Sequence, residues 1–179
     1  MSGAVPVLTS LAGGTGIPIL AGGSGSRWAG PGTKYDMLAS VRERTLSLVP
    51  GSYIVSAGEP TITETVAVLA APLVLLGDVY YTRDALAYIL NDITPLRFYG
   101  REFEIYALRC ADRNILCACA GRPKLWDIYY YLRKHDKRRG HLWPSNDPMF
   151  YLVPDKLTQD FDYYRQWRAF DARALSCDQ

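Results

Sequence analysis

The stretch IPILAGGSGSRWAGPGTK, Ile17 to Lys34, decides how the chain is read. A short apolar run, Ile17 to Leu20, breaks into Gly22, Gly23 and Gly25 and then delivers two positive charges, Arg27 and Lys34. That order is a strand running into a phosphate-handling loop. Closely spaced glycines let the backbone approach a ligand and turn successive N–H groups toward one spot, which suits a polyphosphate. Arg27 supplies a rigid fork of donors and Lys34 a mobile point charge, so the pair can hold different phosphates of one nucleotide. Two other phosphate loops are excluded. A Walker A loop needs GxxxxGK[ST], whereas Lys34 follows Thr33 and precedes Tyr35; a dinucleotide fingerprint needs a third glycine where Trp28 stands.

Composition narrows the class. A length of 179 residues, 49% hydrophobic and 21% charged, suits one domain with a substantial core and is short for two. The net charge of +2 lacks the basic excess of a general nucleic-acid binder. Cys110, Cys117, Cys119 and Cys177 form no CxxC pair, and the chain has only two histidines, so a zinc site is not expected and the thiols read as reduced, mostly core residues. No run approaches the roughly 20 apolar residues of a membrane span. No basic region precedes Arg27, which argues against a secretory signal, so the expected location is cytoplasmic.

The rest of the chain reads as alternating strands and helices. Residues 1–16 hold an echo of the loop, LAGGTG, without its arginine, and are expected to form an N-terminal extension or an extra edge strand, leaving 17–179 as a single domain. Met37 to Val49 predicts one helix closed by Pro50 and Gly51, and Tyr53 to Val55 a buried strand. Thr61 to Glu64 has the form of a capping box opening a helix to about Ala71. Leu73 to Leu76 is all apolar, as in a central parallel strand covered on both faces. Thr82 can cap a helix carrying Leu86, Ile89 and Leu90 on its inner face. These units imply an α/β sheet. Beyond them, Phe98 to Cys110 predicts a strand or hairpin, and Asn114 to Ala120 reads as either helix or strand. Pro123 opens a helix with Leu125, Ile128, Tyr129 and Leu132 on one stripe; Met149 to Val153 predicts a strand and Tyr163 to Ala174 a closing helix.

The loop resembles the LAGGxGxR…K signature of nucleotidyltransferases with a glycosyltransferase-A-like (GT-A-like) fold, matched by Leu20, Ala21, Gly22, Gly23, Gly25, Arg27 and Lys34. The resemblance implies a three-layer αβα sandwich with a mostly parallel, mixed central sheet. It also implies that these seven residues bind the nucleotide, with Arg27 and Lys34 serving catalysis. Asp78, directly after the buried strand, stands where open α/β sheets bind ligands. It resembles the aspartate that holds the catalytic metal in that family; a turn or helix-capping aspartate is the alternative. Asp160 and Asp162 resemble the late DxD-like segment that completes the metal site, although Tyr163, Tyr164 and Arg165 replace the usual residues after it. A carboxylate that only favours a helix dipole is the other reading of that pair. The interval from Lys34 to Asp78 is about one strand–helix unit shorter than the family's, so no base preference carries over.

The activity implied is Mg²⁺-dependent transfer of an NMP unit from an NTP to a phosphorylated small-molecule acceptor, such as a sugar phosphate, with release of pyrophosphate. A GT-A-type glycosyltransferase would use the DxD pair but has no need of the GGSGSR…K loop, and a non-catalytic nucleotide-binding module would keep the loop without metal dependence. The basic run Arg133 to Arg139 reads as a solvated helix end rather than a nucleic-acid surface. His141 has no evident serine or cysteine partner for a nucleophile triad.

Overall fold

A computed structural model describes residues 16–21, 27–55, 65–66, 69, 71–119, 121–122, 124–136, 138, 140 and 144–174. The expected N-terminal extension, Gly22, Gly23 and Gly25, the Thr61 capping box, Pro123 and His141 all lie outside these residues, apart from Gly16. Thr65, Val66 and Leu69 are helical, within the span predicted for the second helix.

The architecture is α/β, with a mixed six-stranded sheet in the order β2-β1-β3-β6-β5-β7. Its strands are β1 (Pro18–Leu20), β2 (Tyr53–Val55), β3 (Leu73–Leu76), β5 (Leu96–Arg101), β6 (Glu104–Cys110) and β7 (Phe150–Leu152). β1 pairs in parallel with β2 and β3, and β5 with β7; β6 alone runs against its neighbours, β3 and β5. Alternation along the strands sends side chains to opposite faces. Leu20, Val74, Phe98 and Leu108 join one apolar cluster with Val66, Leu116, Ile128 and Tyr129, while Ile19, Leu73, Leu75 and Tyr99 join another with Val49, Leu86 and Ile89. Helices therefore cover both faces. The helices are α1 (Lys34–Met37), α2 (Ala39–Leu48), α3 (Arg83–Asn91), α4 (Arg113–Ala118), α5 (Leu125–Leu132) and α6 (Tyr164–Ala174). Among the described residues, no helix is long and apolar enough to cross a membrane.

Several expectations hold in detail. Thr82 caps α3, its hydroxyl accepting from the Ala85 amide at 3.2 Å. The aromatic stretch after Leu96 forms the β5–β6 hairpin, and the ambiguous run after Asp112 is helical. Others are corrected. The helix predicted over Met37 to Val49 is α2, starting at Ala39; Met37 instead ends the short α1, and Leu38 between them is fully buried in a satellite cluster with Trp28, Val41, Phe161 and Phe170. β2 is an edge strand, not a buried one, with Tyr53 39% exposed. A second, two-stranded sheet was not anticipated: β4 (Val79–Tyr80) pairs antiparallel with β8 (Gln159–Asp160), placing Val79 opposite Asp160.

After β1 the chain forms β2 on one side and β3 on the other, so β1 and β3 flank the point where strand order reverses. Ligands of open α/β sheets bind beyond the carboxyl ends of such strands. The Gly77 amide donates to the Leu20 carbonyl at 2.7 Å, and a Cβ on Gly77 would fall 2.8 Å from that oxygen, which explains the glycine before Asp78. Tyr81, fully buried, fixes the same turn. Its hydroxyl accepts from the Leu76 amide at 3.0 Å and donates to the Tyr106 carbonyl. Tyr81→Phe leaves both groups buried and unpaired, so it should lower unfolding free energy by about 1–3 kcal/mol. Urea denaturation measures this, and an unchanged midpoint would contradict it.

Candidate functional site

Three segments converge at this strand end. Arg27 follows the glycine stretch, Lys34 opens α1, Asp78 occupies the β3–β4 turn, and Asp160 and Asp162 come from β8 and its exit. The Phe161 amide donates to the Asp78 carbonyl at 3.0 Å, tying the late carboxylates to the turn. Trp28 is buried, its ring meeting Tyr164 edge-on at 5.6 Å, and its carbonyl accepts from the Tyr164 amide at 3.2 Å. The end of the loop and the start of α6 are thereby held together. The apolar cluster of Leu38, Phe161 and Phe170 forms the support for these segments.

The charges interlock. Lys34 Nζ lies 2.7 Å from Asp78 Oδ2 and 3.5 Å from Asp162 Oδ1, and Arg27 Nη1 lies 2.6 Å from Asp162 Oδ2. One oxygen from each of Asp78, Asp160 and Asp162 lies within 4.8 Å of the others. Burial works against the Lys34 charge, but Asp78, Asp160 and Asp162 outweigh it and raise its pKa. Asp160 goes the other way: burial first, then the charges of Asp78 and Glu104, push its carboxyl up to about 9. Glu104 is also raised, again chiefly by burial, although a hydrogen bond to Asp160 pulls it back. Burial and the neighbouring carboxylates therefore favour the protonated form of Asp160.

All five charged residues singled out from the sequence are thus brought together. Of the loop residues, Leu20 packs its side chain into the core, and the Ala21 amide donates to the Val55 carbonyl at 2.9 Å. The sequence reading missed two residues. Glu104, at the start of β6, is a fourth carboxyl group beside Asp160, and nothing in REFEIY marks it apart from any other strand-end glutamate. Arg42 is buried in α2; its guanidinium donates to the Tyr35 carbonyl and lies 4.0 Å from the centre of the Tyr35 ring. Its stem packs beneath Gly77, so it braces α1 against the Asp78 turn. Elsewhere, Arg133 pairs with the mostly buried Asp147, while Arg138 pairs with Asp136 at the surface.

The donor set fits a hard divalent cation such as Mg²⁺, which prefers carboxylate oxygens completed by water and phosphate. One observation tests that fit directly: Asp160 Oδ1 is buried with no hydrogen-bond partner, an oxygen with capacity to spare beside two further carboxylates. Asp78, Asp160 and Asp162 are the residues that could hold the ion, with Arg27 and Lys34 placed to meet anionic groups next to it.

Because the folded protein holds the Asp160 proton up to about 9, against an ordinary 3.8, it binds more protons than the unfolded chain between those values. Stability should then fall as pH rises through that window. Asp160→Asn should flatten the fall, and equal pH dependence of the two proteins in thermal unfolding would contradict the assignment. No family model matches the chain, and no curated protein or solved structure does either. Its function has to be read from the geometry of this site.

Proposed function

We propose that the protein is a Mg²⁺-dependent nucleotidyltransferase of GT-A-like architecture, moving an NMP unit from an NTP to a phosphorylated acceptor and releasing pyrophosphate. One observation carries this reading: Arg27, Lys34, Asp78, Asp160 and Asp162, remote in sequence, meet beyond the ends of β1 and β3.

In the reaction, an oxygen of the acceptor phosphate attacks the α-phosphorus. The bond from that phosphorus to the bridging oxygen breaks, and its electron pair leaves with pyrophosphate. Such in-line transfer needs positioning and charge neutralisation rather than a covalent protein group. Arg27, with its side chain 53% exposed, can reach the departing phosphates, and its planar fork suits two of their oxygens. Lys34, deeper in the site, meets the α-phosphate and the acceptor phosphate. Asp78, Asp160 and Asp162 would hold Mg²⁺, which when bound offsets the charge of the phosphates. A non-catalytic nucleotide-binding module is the second reading. It is favoured by the pairing of both cations with carboxylates, an arrangement that could be purely structural.

Pyrophosphate release from each of the four NTPs with Mg²⁺, against a panel of sugar, polyol and cofactor phosphates, tests the proposal. Release should require both an NTP and one acceptor. Arg27→Ala and Asp78→Ala should fold yet lose on the order of 10²-fold in turnover. Wild-type rates in both variants would sink the assignment, and NTP binding without any release would favour the binding module.

A further inference from the structure

The residues expected to grip phosphates are, in the protein without ligands, the counter-ions of those expected to grip the metal. Lys34 Nζ sits on Asp78 Oδ2, and the Arg27 guanidinium on Asp162 Oδ2. Lys34 also reaches Asp162 Oδ1, so Asp162 is held from two sides. The Lys34 contacts are not freely screened, since the side chains of Lys34 and Asp162 are only 16% and 14% exposed, whereas Arg27 is 53% exposed. An ammonium within hydrogen-bonding distance of a carboxylate oxygen takes up one of its lone pairs and offsets the negative charge that would attract a metal. The carboxylates in turn offset the positive charge that would attract an anion.

From this geometry we infer that the site works by exchange of partners: a divalent cation displaces Lys34 and Arg27 from Asp78 and Asp162, and the two freed cations then bind the triphosphate. The inference rests on the nucleotidyltransferase reading and adds a coupling between its two ligands. Partly buried charges interact strongly, so a dication among the carboxylates repels Lys34 and Arg27 unless an anion takes them up. Each ligand therefore removes the obstacle to the other. Linkage makes the effect reciprocal: whatever factor the cation contributes to triphosphate affinity, the triphosphate returns. Metal-free nucleotide and nucleotide-free metal should both bind weakly, which keeps the reactive pair of ligands from loading separately.

The exchange makes a counter-intuitive demand on variants. Lys34 and Arg27 compete with metal, so removing either should improve binding of the metal alone. Mn²⁺ is the probe, its free concentration followed by electron paramagnetic resonance at pH 8 without nucleotide, with circular dichroism to check folding. Lys34→Gln and Arg27→Gln should each tighten Mn²⁺ binding about fivefold or more, within the usual range of coupling. Arg165→Gln is the control. Arg165 is exposed, lies against the Tyr163 ring at 5.1 Å, and its substitution removes the same charge three residues after Asp162 in sequence. As a screened charge without a share in either pair, it should alter Mn²⁺ affinity by less than about twofold. Unchanged affinity in Lys34→Gln and Arg27→Gln, or an equal gain in Arg165→Gln, overturns the exchange while leaving the transferase reading standing. Absence of saturable Mn²⁺ binding in the wild type and every variant overturns the exchange, and its absence also with an NTP analogue present overturns the transferase reading as well. Arg27, half exposed, keeps the test decisive if Lys34→Gln fails to fold.

Discussion

Four carboxyl groups crowd one corner of this fold, and two cations make that crowding tolerable. Asp78, Asp160, Asp162 and Glu104 come from three strand ends, and like charges so close together cannot all ionise cheaply. The protein resolves the conflict in two ways. Lys34 and Arg27 neutralise Asp78 and Asp162, while Asp160 keeps its proton. Much of the surrounding structure serves this arrangement. Gly77 lets the turn close on the Leu20 carbonyl, Tyr81 pins it from below, and Arg42 braces α1 against it. Within this arrangement Asp160 Oδ1 is buried without a hydrogen-bond partner.

The parts of the fold that could be read from the sequence are those where one local rule dominates. Leu73 to Leu76 is apolar throughout because it is covered on both faces, and Thr82 caps α3 because the first amides of that helix need an acceptor. Arg27, Lys34 and Asp78 stood out for a similar reason, each coming soon after a strand or a glycine turn, whereas Asp160 and Asp162 were marked by their resemblance to a DxD-like segment before the closing helix. What escaped notice depends on contacts between distant residues. The break at Leu38 is set by Trp28, Phe161 and Phe170, which draw that side chain out of helical register. The β4–β8 pair is only two residues per strand, too short to leave a periodic signal, yet it brings Asp160 beside the Asp78 turn. β2 was read as buried because YIV is apolar, whereas its place at the sheet edge follows from topology. The role of Glu104 depends on β6 entering the sheet antiparallel, next to β3.

On the proposed function, the ion pairs would also keep the site inert between turnovers. Cations left free would attract any passing phosphate, and carboxylates left free would take up metal without substrate. Pairing them with one another would suppress both until metal and triphosphate arrive together, as the proposed exchange requires. Arg27 stands at the rim and Lys34 inside, so on the proposed function an entering polyphosphate would meet Arg27 first.

The most direct test is a crystal structure with Mn²⁺ and a non-hydrolysable NTP analogue, using the anomalous signal of the metal to locate it. The account predicts a peak bridged by Asp78, Asp160 and Asp162, with Lys34 and Arg27 moved from their carboxylates onto phosphate oxygens. A metal bound elsewhere, or a nucleotide seated while Lys34 still holds Asp78 and Arg27 still holds Asp162, would contradict it.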